Sequence, residues 1–417
     1  MAFVSVRFFN RAGSTWPGEL ALKLKPNIIR SLRPFFEQII VIAGTNGKTS
    51  TSQFLVQLLK DNHYLVITNA SGANLANGIL SSILLKLPLF TKPKRIIGVF
   101  ELDEYAFTQV VLDLKPNFVI LLNLFRDQLD RYGEVSNILN RWQTALSKLK
   151  QATVIYPSAD PSLESLFLNI NNSHLAYTVP KSLLKPKTEV SGDYLHCPVC
   201  KHKLEYHAYY LGHMGNWFCQ NCFFAPNKNS FEFSKANLQQ LALIPHYQQI
   251  NLQAVYLLLK PLQIKQVLFW QTVKIWQPSF GRGETITAFS HQYQVYLGKN
   301  PSSWSAVLTH LNSKNLKDLQ LVMGLNNRIP DGHDISWIYD ADFILKEKPR
   351  KLVVYGDRAY DLAVRLKMAG YQVDKVITSP RDLKQELKQT KLKNLLILAN
   401  YSAMLEARQI LVGKSLG

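Results

Sequence analysis

The hydrophobic positions in the first part of the chain alternate between short apolar runs and stretches with helical spacing. Residues 39–43 predict a buried strand, and a helical pattern follows that continues to Leu59. Three more strands are predicted at later apolar runs, each followed by a polar or glycine-containing turn: residues 64–68, 96–101 and 118–122. This alternation is typical of an α/β domain with a parallel sheet covered by helices.

A different pattern begins near residue 191 and divides the chain. Residues 191–227 are rich in Cys, His, Tyr and Asn and have no helical period, so we interpret them as a small inserted module. The α/β pattern returns in a series of predicted strands and a helix: 319–323, 352–355, 359–368 (the helix) and 395–399. Proline and glycine cluster near residues 278–284. We therefore predict two domains, residues 1–282 with the insertion at 191–227, and residues 283–417.

Composition narrows the class of protein. A chain of 417 residues is too long for one compact core, and no apolar run reaches the length of a membrane-spanning helix. Arg7, Asn10 and Arg11 interrupt the apolar N-terminal stretch, so we expect no signal peptide and a cytoplasmic, reducing location. The net charge of +19 favours anionic partners, although a host with a generally basic proteome explains it equally well.

A phosphate-binding loop is predicted where the first strand meets the first helix. Glycines let the backbone N–H groups face an anion, and the helix N-terminus adds partial positive charge. Lys48 can reach the β- and γ-phosphates, and the Thr49 hydroxyl suits Mg²⁺. We expect a nucleotide to be bound by Gly44, Thr45, Asn46, Gly47, Lys48, Thr49 and Ser50.

Acidic and polar residues follow two later strands. Glu101 stands at the end of the third predicted strand and is our first candidate for the magnesium site, with Asp103 second. Ligands collect at the carboxyl edge of an open α/β sheet, which favours this assignment. A polar loop that begins at Asn123 follows the next strand.

The four cysteines form two close pairs, separated by about eighteen residues. Such spacing predicts one structural Zn²⁺ held by four thiolates, with two disulfides or free thiols as the alternatives. The predicted zinc ligands are Cys197, Cys200, Cys219 and Cys222. Four nearby histidines are not needed for this site, and we interpret them as surface or packing residues: His196, His202, His207 and His213.

Taken together, these segments resemble the central domain of the Mur ligases and folylpolyglutamate synthases. The shared features are the GTNGKT loop, the acidic strand end and the polar segment from Asn123 to Gly133. The sequence GRGE, residues 281–284, resembles the stretch that leads into the family's C-terminal domain. The resemblance implies a Rossmann-like C-terminal α/β domain and nucleotide contacts from Asn123 and Arg282. Residues 245–251 depart from the family's glycine-and-asparagine segment and retain Asn251.

Three features resemble the MurT branch of this family. Few residues precede the phosphate loop, a four-cysteine module interrupts the central domain, and residues 331–340 match the motif DGxDxSWxxD. Two shorter matches are GAN (Gly72, Ala73, Asn74) and KNP (Lys299, Asn300, Pro301).

The resemblance to this branch implies a chemistry and a partner. It implies ATP- and Mg²⁺-dependent amidation of the D-glutamate α-carboxylate in the lipid II stem peptide, through an acyl phosphate. Ammonia would come from a GatD-like glutaminase in a heterodimer. On this resemblance, Asp334 completes the partner's Cys–His pair as a triad, with Asp331 and Asp340 as weaker candidates. The alternative is that Asp334 caps a turn or helix.

Other interpretations remain open beside this one. Within the same class, the chain could add an amino acid or a glutamate tail. A nucleic-acid-binding zinc-ribbon ATPase is the alternative from another class, but the module has few cations between its cysteine pairs, and we expect no nucleic acid partner. The basic N-terminal stretch is either an ordinary solvated surface or a contact with the anionic inner face of the membrane.

Overall fold

The computed structural model describes residues 15–69, 74–87, 95–125, 135–186, 194–277, 280–312, 318–341, 343, 345 and 347–413. Arg7, Arg11, Gly72, Ala73 and residues 126–134, which figure in the predictions above, lie outside this part of the chain. The chain divides into two compact units, Met1–Trp276 and Gln277–Gly417. This division lies shortly before residue 282, where we placed the domain boundary.

Unit 1 contains a six-stranded sheet in the order β2-β3-β1-β4-β5-β6, and every neighbouring pair is parallel. Its strands are β1 (Gln38–Ala43), β2 (Leu65–Thr68), β3 (Ile96–Leu102), β4 (Phe118–Leu121), β5 (Thr153–Pro157) and β6 (His174–Tyr177). Every residue of β3 and β4 is buried, as expected for a parallel sheet covered on both faces. The four predicted strands and the predicted α/β fold with a parallel sheet are thus confirmed, whereas the pattern did not reveal β5 and β6.

Helices connect these strands. They are α1 (Trp16–Leu24), α2 (Ile28–Leu32), α3 (Lys48–Asp61), α4 (Ala76–Lys86), α5 (Glu104–Leu114), α6 (Val135–Lys148), α7 (Pro161–Leu166), α8 (Lys235–Gln240), α9 (His246–Leu258) and α10 (Gln266–Ile275). The last of them, α10, packs against α3. The Phe54 ring lies 5.1 Å from that of Phe269 and 5.6 Å from that of Trp276, and Thr272 donates to the carboxylate of Asp61 at 3.2 Å.

A small antiparallel sheet carries the cysteine module. It consists of β7 (Lys185–Pro186), β8 (Glu205–Leu211) and β9 (Met214–Phe218), with β8 in the middle. Its core is formed by Leu204, Tyr206 and Trp217 together with two of the cysteines. The module is therefore a hairpin with its own hydrophobic cluster.

Unit 2 is a second α/β sheet in the order β10-β11-β15-β12-β13-β14, parallel except for the β10–β11 hairpin. Its strands are β10 (Arg282–Ala288), β11 (His291–Leu297), β12 (Leu319–Gly324), β13 (Lys351–Tyr355), β14 (Lys375–Ile377) and β15 (Asn394–Ala399). Its helices are α11 (Pro301–Leu311), α12 (Ala359–Met368), α13 (Pro380–Gln389) and α14 (Tyr401–Val412). The three predicted strands and the helix at 359–368 are present, and β10, β11 and β14 were missed. No helix among the described residues of either unit is long and apolar enough to cross a bilayer.

Candidate functional site

The phosphate loop lies between β1 and α3 and requires both of its glycines. Gly44 and Gly47 have φ angles of 138° and 91°, in the region that side chains disfavour. Helix α3 begins at Lys48, so its first N–H groups point toward the loop. The Ser50 hydroxyl is buried and has no hydrogen-bond partner among the described residues. A loop of this form, with an additional buried hydroxyl, fits a bound phosphate group.

Asn123, just after β4, holds the loop in shape. Its side-chain oxygen accepts from the Asn46 N–H at 2.9 Å, and its amide donates to the Asn46 carbonyl at 3.0 Å. Its backbone carbonyl accepts from the Thr45 N–H at 3.0 Å. Phe125 completes the contact, because its N–H donates to the Thr45 hydroxyl at 3.0 Å and its carbonyl accepts from it at 3.1 Å. The predicted nucleotide residue Asn123 therefore acts on the loop backbone.

Glu101 lies fully buried near the end of β3 and faces the start of α3. It accepts a hydrogen bond from the Thr49 hydroxyl at 2.9 Å and another from the Ser52 hydroxyl. The Asn69 side chain bonds both backbone groups of Glu101 at 2.9 Å, which fixes the strand end. A carboxylate and a hydroxyl in contact beside a phosphate loop are suitable oxygen ligands for Mg²⁺.

Lys48 is surrounded by backbone oxygens and one carboxylate. Its ammonium donates to the carbonyl of Gly44 and to that of Thr45 at 3.3 Å, and it lies 4.0 Å from the buried Glu104 carboxylate. Asp103, the second magnesium candidate, caps α5 by accepting from the N–H groups of Ala106 (2.6 Å) and Tyr105 (3.1 Å). Burial raises the pKa of Asp103, the Ala106 N–H opposes this, and the adjacent Glu104 raises it further. Asp103 thus has a structural role at the helix start.

Asn251 on α9 lies directly against the loop. A Cβ atom at Gly47 would lie 2.1 Å from the Asn251 side-chain nitrogen. Asn251 is almost fully buried, so the one residue retained in the divergent segment 245–251 is in contact with the phosphate loop.

Asp160 and His213 are fully buried and were not identified as a pair from the sequence. Asp160 caps α7, and the His213 Nε2 atom lies 3.3 Å from its carboxylate. Burial by itself raises the pKa of Asp160, but His213, Ser162 and the Leu124 N–H together hold it below its usual value. His213 is therefore a packing residue with a specific partner, whereas His202 and His207 are exposed as predicted. A lone Asp before Pro161 is typical of a helix cap, and nothing in the sequence relates it to a histidine more than fifty residues later.

The four cysteine side chains come together at one end of the hairpin module. All four sulfur atoms lie within 4.8 Å of one another, with Cys197–Cys222 at 3.5 Å and Cys200–Cys219 at 3.4 Å. Tetrahedral zinc with bonds of about 2.3 Å holds its sulfurs about 3.8 Å apart. All four cysteines are free, so the disulfide alternative is absent and the cluster fits a tetrahedral metal ion.

The remaining predicted residues lie in unit 2. Arg282 begins β10. Glu284 in the same strand accepts hydrogen bonds from the Nε and Nη2 groups of Arg408 in α14, at 2.9–3.2 Å. Asp334 is exposed and accepts from the Ser336 N–H at 2.8 Å and hydroxyl at 3.0 Å, which is a capping contact. Asp331 accepts from the N–H of Ser402 at 2.9 Å and from its hydroxyl, which leaves Asp334 the more accessible carboxylate of the two.

Comparison with known proteins agrees with the resemblance described from the sequence. A family model described as the Mur ligase middle domain matches residues 42–223, and one described as MurT ligase C-terminal matches residues 297–404. Two relatives are MurT subunits of lipid II isoglutaminyl synthase (glutamine-hydrolyzing). The one from Streptococcus pneumoniae is 29% identical over 97% of this chain and 93% of its own length; the one from Staphylococcus aureus is 28% identical over 89% and 86%.

Among solved structures, MurF ligase from Thermotoga maritima in complex with ADP superposes with a TM-score of 0.61 at 16% identity, over 94% of this chain and 83% of that one. At that identity the likeness concerns the fold. The two matching family models and the near full-length similarity to MurT subunits agree with the phosphate loop and the four-cysteine module: this chain is similar to the MurT branch of the Mur ligase family.

Proposed function

We propose that this chain is the ATP-dependent synthetase subunit that amidates the α-carboxylate of D-glutamate in the lipid II stem peptide, giving D-isoglutamine. The observation that carries the proposal is the phosphate loop with Lys48 and, beside it, the hydrogen bond between Thr49 and the buried Glu101. The second unit of the same chain matches the MurT C-terminal model. The similar subunits from two bacteria bear the name of this activity, which supports the assignment.

The chemistry follows from the properties of a carboxylate. It is a poor electrophile, so a carboxylate oxygen first attacks the γ-phosphorus of ATP, the bond to ADP breaks, and an acyl phosphate forms. Ammonia then attacks the acyl carbon, inorganic phosphate leaves, and the nitrogen loses a proton to give the amide. Charge spreads over the transferring phosphoryl group in the first step, and groups that neutralise it lower the barrier.

Each residue of the site has a proposed part in this sequence. The loop from Gly44 to Ser50 binds the phosphates through its N–H groups, and Lys48 supplies positive charge to them. Thr49 and Glu101 hold Mg²⁺, which neutralises phosphate charge when bound. Asn123 and Asn251 maintain the loop against which the nucleotide rests, and Arg282 is assigned to the nucleotide phosphates on the family resemblance alone.

The nucleotide assignment is tested by replacing single side chains. Lys48→Ala, Thr49→Ala and Glu101→Ala are each expected to abolish ATP-dependent amide formation. Lys60→Ala is the matched control, since Lys60 is an exposed lysine on the same helix. Product is measured with ATP and ammonium, and separately with free amino acids in place of ammonium. Normal turnover by Lys48→Ala would refute the phosphate-loop assignment, and product with amino acids alone would favour the amino-acid ligase.

The four-cysteine cluster is proposed to hold one structural Zn²⁺. A closed set of four thiolates leaves no coordination position for substrate, so the ion would stabilise the hairpin module and take no part in the chemistry. The expected result is about one zinc per chain by metal analysis of the purified protein. A content well below that value would contradict the assignment.

Ammonia is proposed to come from a partner glutaminase of the GatD type in a heterodimer with this chain. All four cysteines lie in the cluster, so none is available in this chain as a glutaminase nucleophile. We assign to Asp334 the carboxylate that orients the histidine of the partner's Cys–His pair. Its exposure allows such a contact, although its present bonds to Ser336 are those of a cap.

The Asp334 assignment has a discriminating experiment. Asp334→Asn is expected to abolish glutamine-dependent amidation in the intact complex, and added ammonium should restore the product. Asp318→Asn, another exposed carboxylate of unit 2, is the control. Because Asn caps about as well as Asp, full glutamine-dependent activity in Asp334→Asn would show that the residue is only a cap.

A further part of the proposal concerns contact with the membrane that carries lipid II. Helix α1 exposes a row of apolar side chains, Trp16 (53%), Leu20 (38%) and Leu24 (69%), beside Lys23. We propose that this face touches the anionic cytoplasmic leaflet, to which each nearby cation contributes about 1 kcal/mol. Co-sedimentation with anionic liposomes should fall for the Leu20→Ser/Leu24→Ser double variant and not for Leu243→Ser, an exposed control. Binding that does not depend on anionic lipid or on salt would contradict this contact.

A further inference from the structure

The cysteine module contacts the main sheet at Ala159 and Asp160, which lie shortly after β5. Two donors from β9, the Gly215 N–H and the Trp217 ring N–H, meet the Ala159 carbonyl, each at 3.0 Å. Beside this contact the His213 ring enters the interior and lies 3.3 Å from the Asp160 carboxylate. The turn between β8 and β9 thus places His213 against a buried carboxylate of the ATP-binding unit.

Asp160 is a junction between three segments of the chain. One carboxylate oxygen, Oδ1, accepts from the Ser162 N–H at 3.0 Å and from its hydroxyl at 2.6 Å, and the same oxygen faces His213. The other oxygen, Oδ2, accepts from the Leu124 N–H at 3.2 Å. Asp160 and His213 are both 0% exposed, so no water competes for these contacts.

The Leu124 contact leads directly to the phosphate loop. Leu124 lies between Asn123 and Phe125. The Asn123 side chain bonds the backbone of Asn46, and the N–H and carbonyl of Phe125 both bond the Thr45 hydroxyl. The Phe125 ring also lies 5.0 Å from the His213 ring. Fixing the Leu124 N–H therefore fixes the segment that shapes the loop.

We propose that His213 is a positioning residue for ATP binding, and that through Asp160 and Leu124 the cysteine module sets how tightly the phosphate loop holds its nucleotide. This inference rests on the proposed nucleotide site. Its physical basis is the high cost of a buried carboxylate without compensating partners. Without His213, Asp160 is expected to take up a proton or turn away. Either change weakens its acceptance from Leu124 and loosens the loop that Asn123 and Phe125 maintain.

Two substitutions test the connection from opposite ends. His213→Gln removes the ring from the module side. Asp160→Asn acts from the sheet side, because an amide presents a single oxygen and cannot accept on both edges. His207→Gln is the matched control, since His207 is an exposed histidine of the same hairpin that stacks on Phe218.

The readouts separate a positioning role from general destabilisation. For both variants we expect ATP Kd to rise about tenfold, the effect of weakening the buried hydrogen bond from the Leu124 N–H to the Asp160 carboxylate, with zinc content and the KM for the lipid substrate unchanged. Amide hydrogen exchange should accelerate in the peptide covering residues 121–125 and stay unchanged in Asn394–Ala399 of unit 2.

Each possible result either supports or overturns this role. Unchanged ATP Kd and unchanged exchange at residues 121–125 in His213→Gln would overturn the positioning role. If His213→Gln loses zinc, Asp160→Asn, which lies outside the module, decides by the same two readouts. Lys48→Ala is measured in parallel. If its ATP Kd rises while His213→Gln and Asp160→Asn leave ATP Kd unchanged, the positioning role is overturned and the proposed function stays intact. If Lys48→Ala also binds ATP normally, the nucleotide site itself is wrong.

Discussion

Replacing Asn123 by Ala should weaken ATP binding far more than its effect on stability alone would suggest. Asn123 is 6% exposed and its side chain makes two hydrogen bonds to the backbone of Asn46, at 2.9 and 3.0 Å. Removing both deprives the partly buried Asn46 N–H and carbonyl of these hydrogen bonds, which costs about 1 kcal/mol each and about 2 kcal/mol in total. This loss falls on the loop that would contact the phosphates.

The chain offers a closely matched control for this prediction. Asn172 is also 6% exposed and its amide donates to the backbone carbonyls of Leu149 (2.7 Å) and Ala152 (3.4 Å), far along the chain from the loop. Asn172→Ala should lower the free energy of unfolding by a similar amount.

The two variants should separate in nucleotide binding, measured by calorimetric titration with ATP and Mg²⁺. We expect ATP Kd to rise about 10- to 100-fold in Asn123→Ala and to stay within about twofold of the unsubstituted protein in Asn172→Ala. Equal Kd values for the two variants, at equal loss of stability, would refute the reasoning that Asn123 shapes the loop.

Three further outcomes are expected. Gly47→Ala should abolish ATP binding, because the new Cβ would lie 2.1 Å from the Asn251 amide. The control Gly370→Ala has a similar positive φ and no atom within 4 Å of the new Cβ, so it should lower the free energy of unfolding by only about 1 kcal/mol. Comparable effects of the two variants on ATP binding would contradict the role of Asn251. Removing the metal with a chelator should melt the cysteine module, seen as faster amide exchange in Glu205–Leu211, and an unchanged exchange rate would argue against structural zinc. Burial raises the pKa of Glu164 to about 7, so the folded state holds a proton that the unfolded chain releases near pH 4.5. The free energy of unfolding should therefore fall as pH rises from about 4.5 to 7 and stay level above pH 7, and Glu164→Gln should flatten this profile in urea titrations.

Much of unit 1 was predictable because its signals are local. A wholly apolar run such as residues 39–43 of β1, followed by glycines and a lysine, specifies strand, loop and helix within a dozen residues. The cysteine pairs are equally local, and their spacing predicted the cluster. The edge strands β6 and β14 were missed because they are short and only partly buried, so their pattern differs little from that of a loop.

The partners within the site were not predictable, because they depend on which strands become neighbours. Asn123 could be assigned to the nucleotide only by resemblance, while its bonds to Asn46 require β1 and β4 to be adjacent. Glu101 meets Thr49 and Ser52 for a similar reason, since β3 lies on the other side of β1. The Asp160–His213 contact depends in addition on how the inserted hairpin folds back. Such pairings are decided by the sheet order, which no single segment encodes.

The packing of α10 on α3 has a consequence for how the protein is made. The helix that begins at Lys48 leaves the ribosome early, but Phe269, Thr272 and Trp276, which cover it, are synthesised more than two hundred residues later. Until then the Phe54 side of that helix has no cover from α10, and a nascent chain would expose apolar surface that invites chaperones. Translation therefore has to reach the end of unit 1 before α10 can cover α3. Truncations that end before Trp276 should yield aggregates instead of a smaller nucleotide-binding protein.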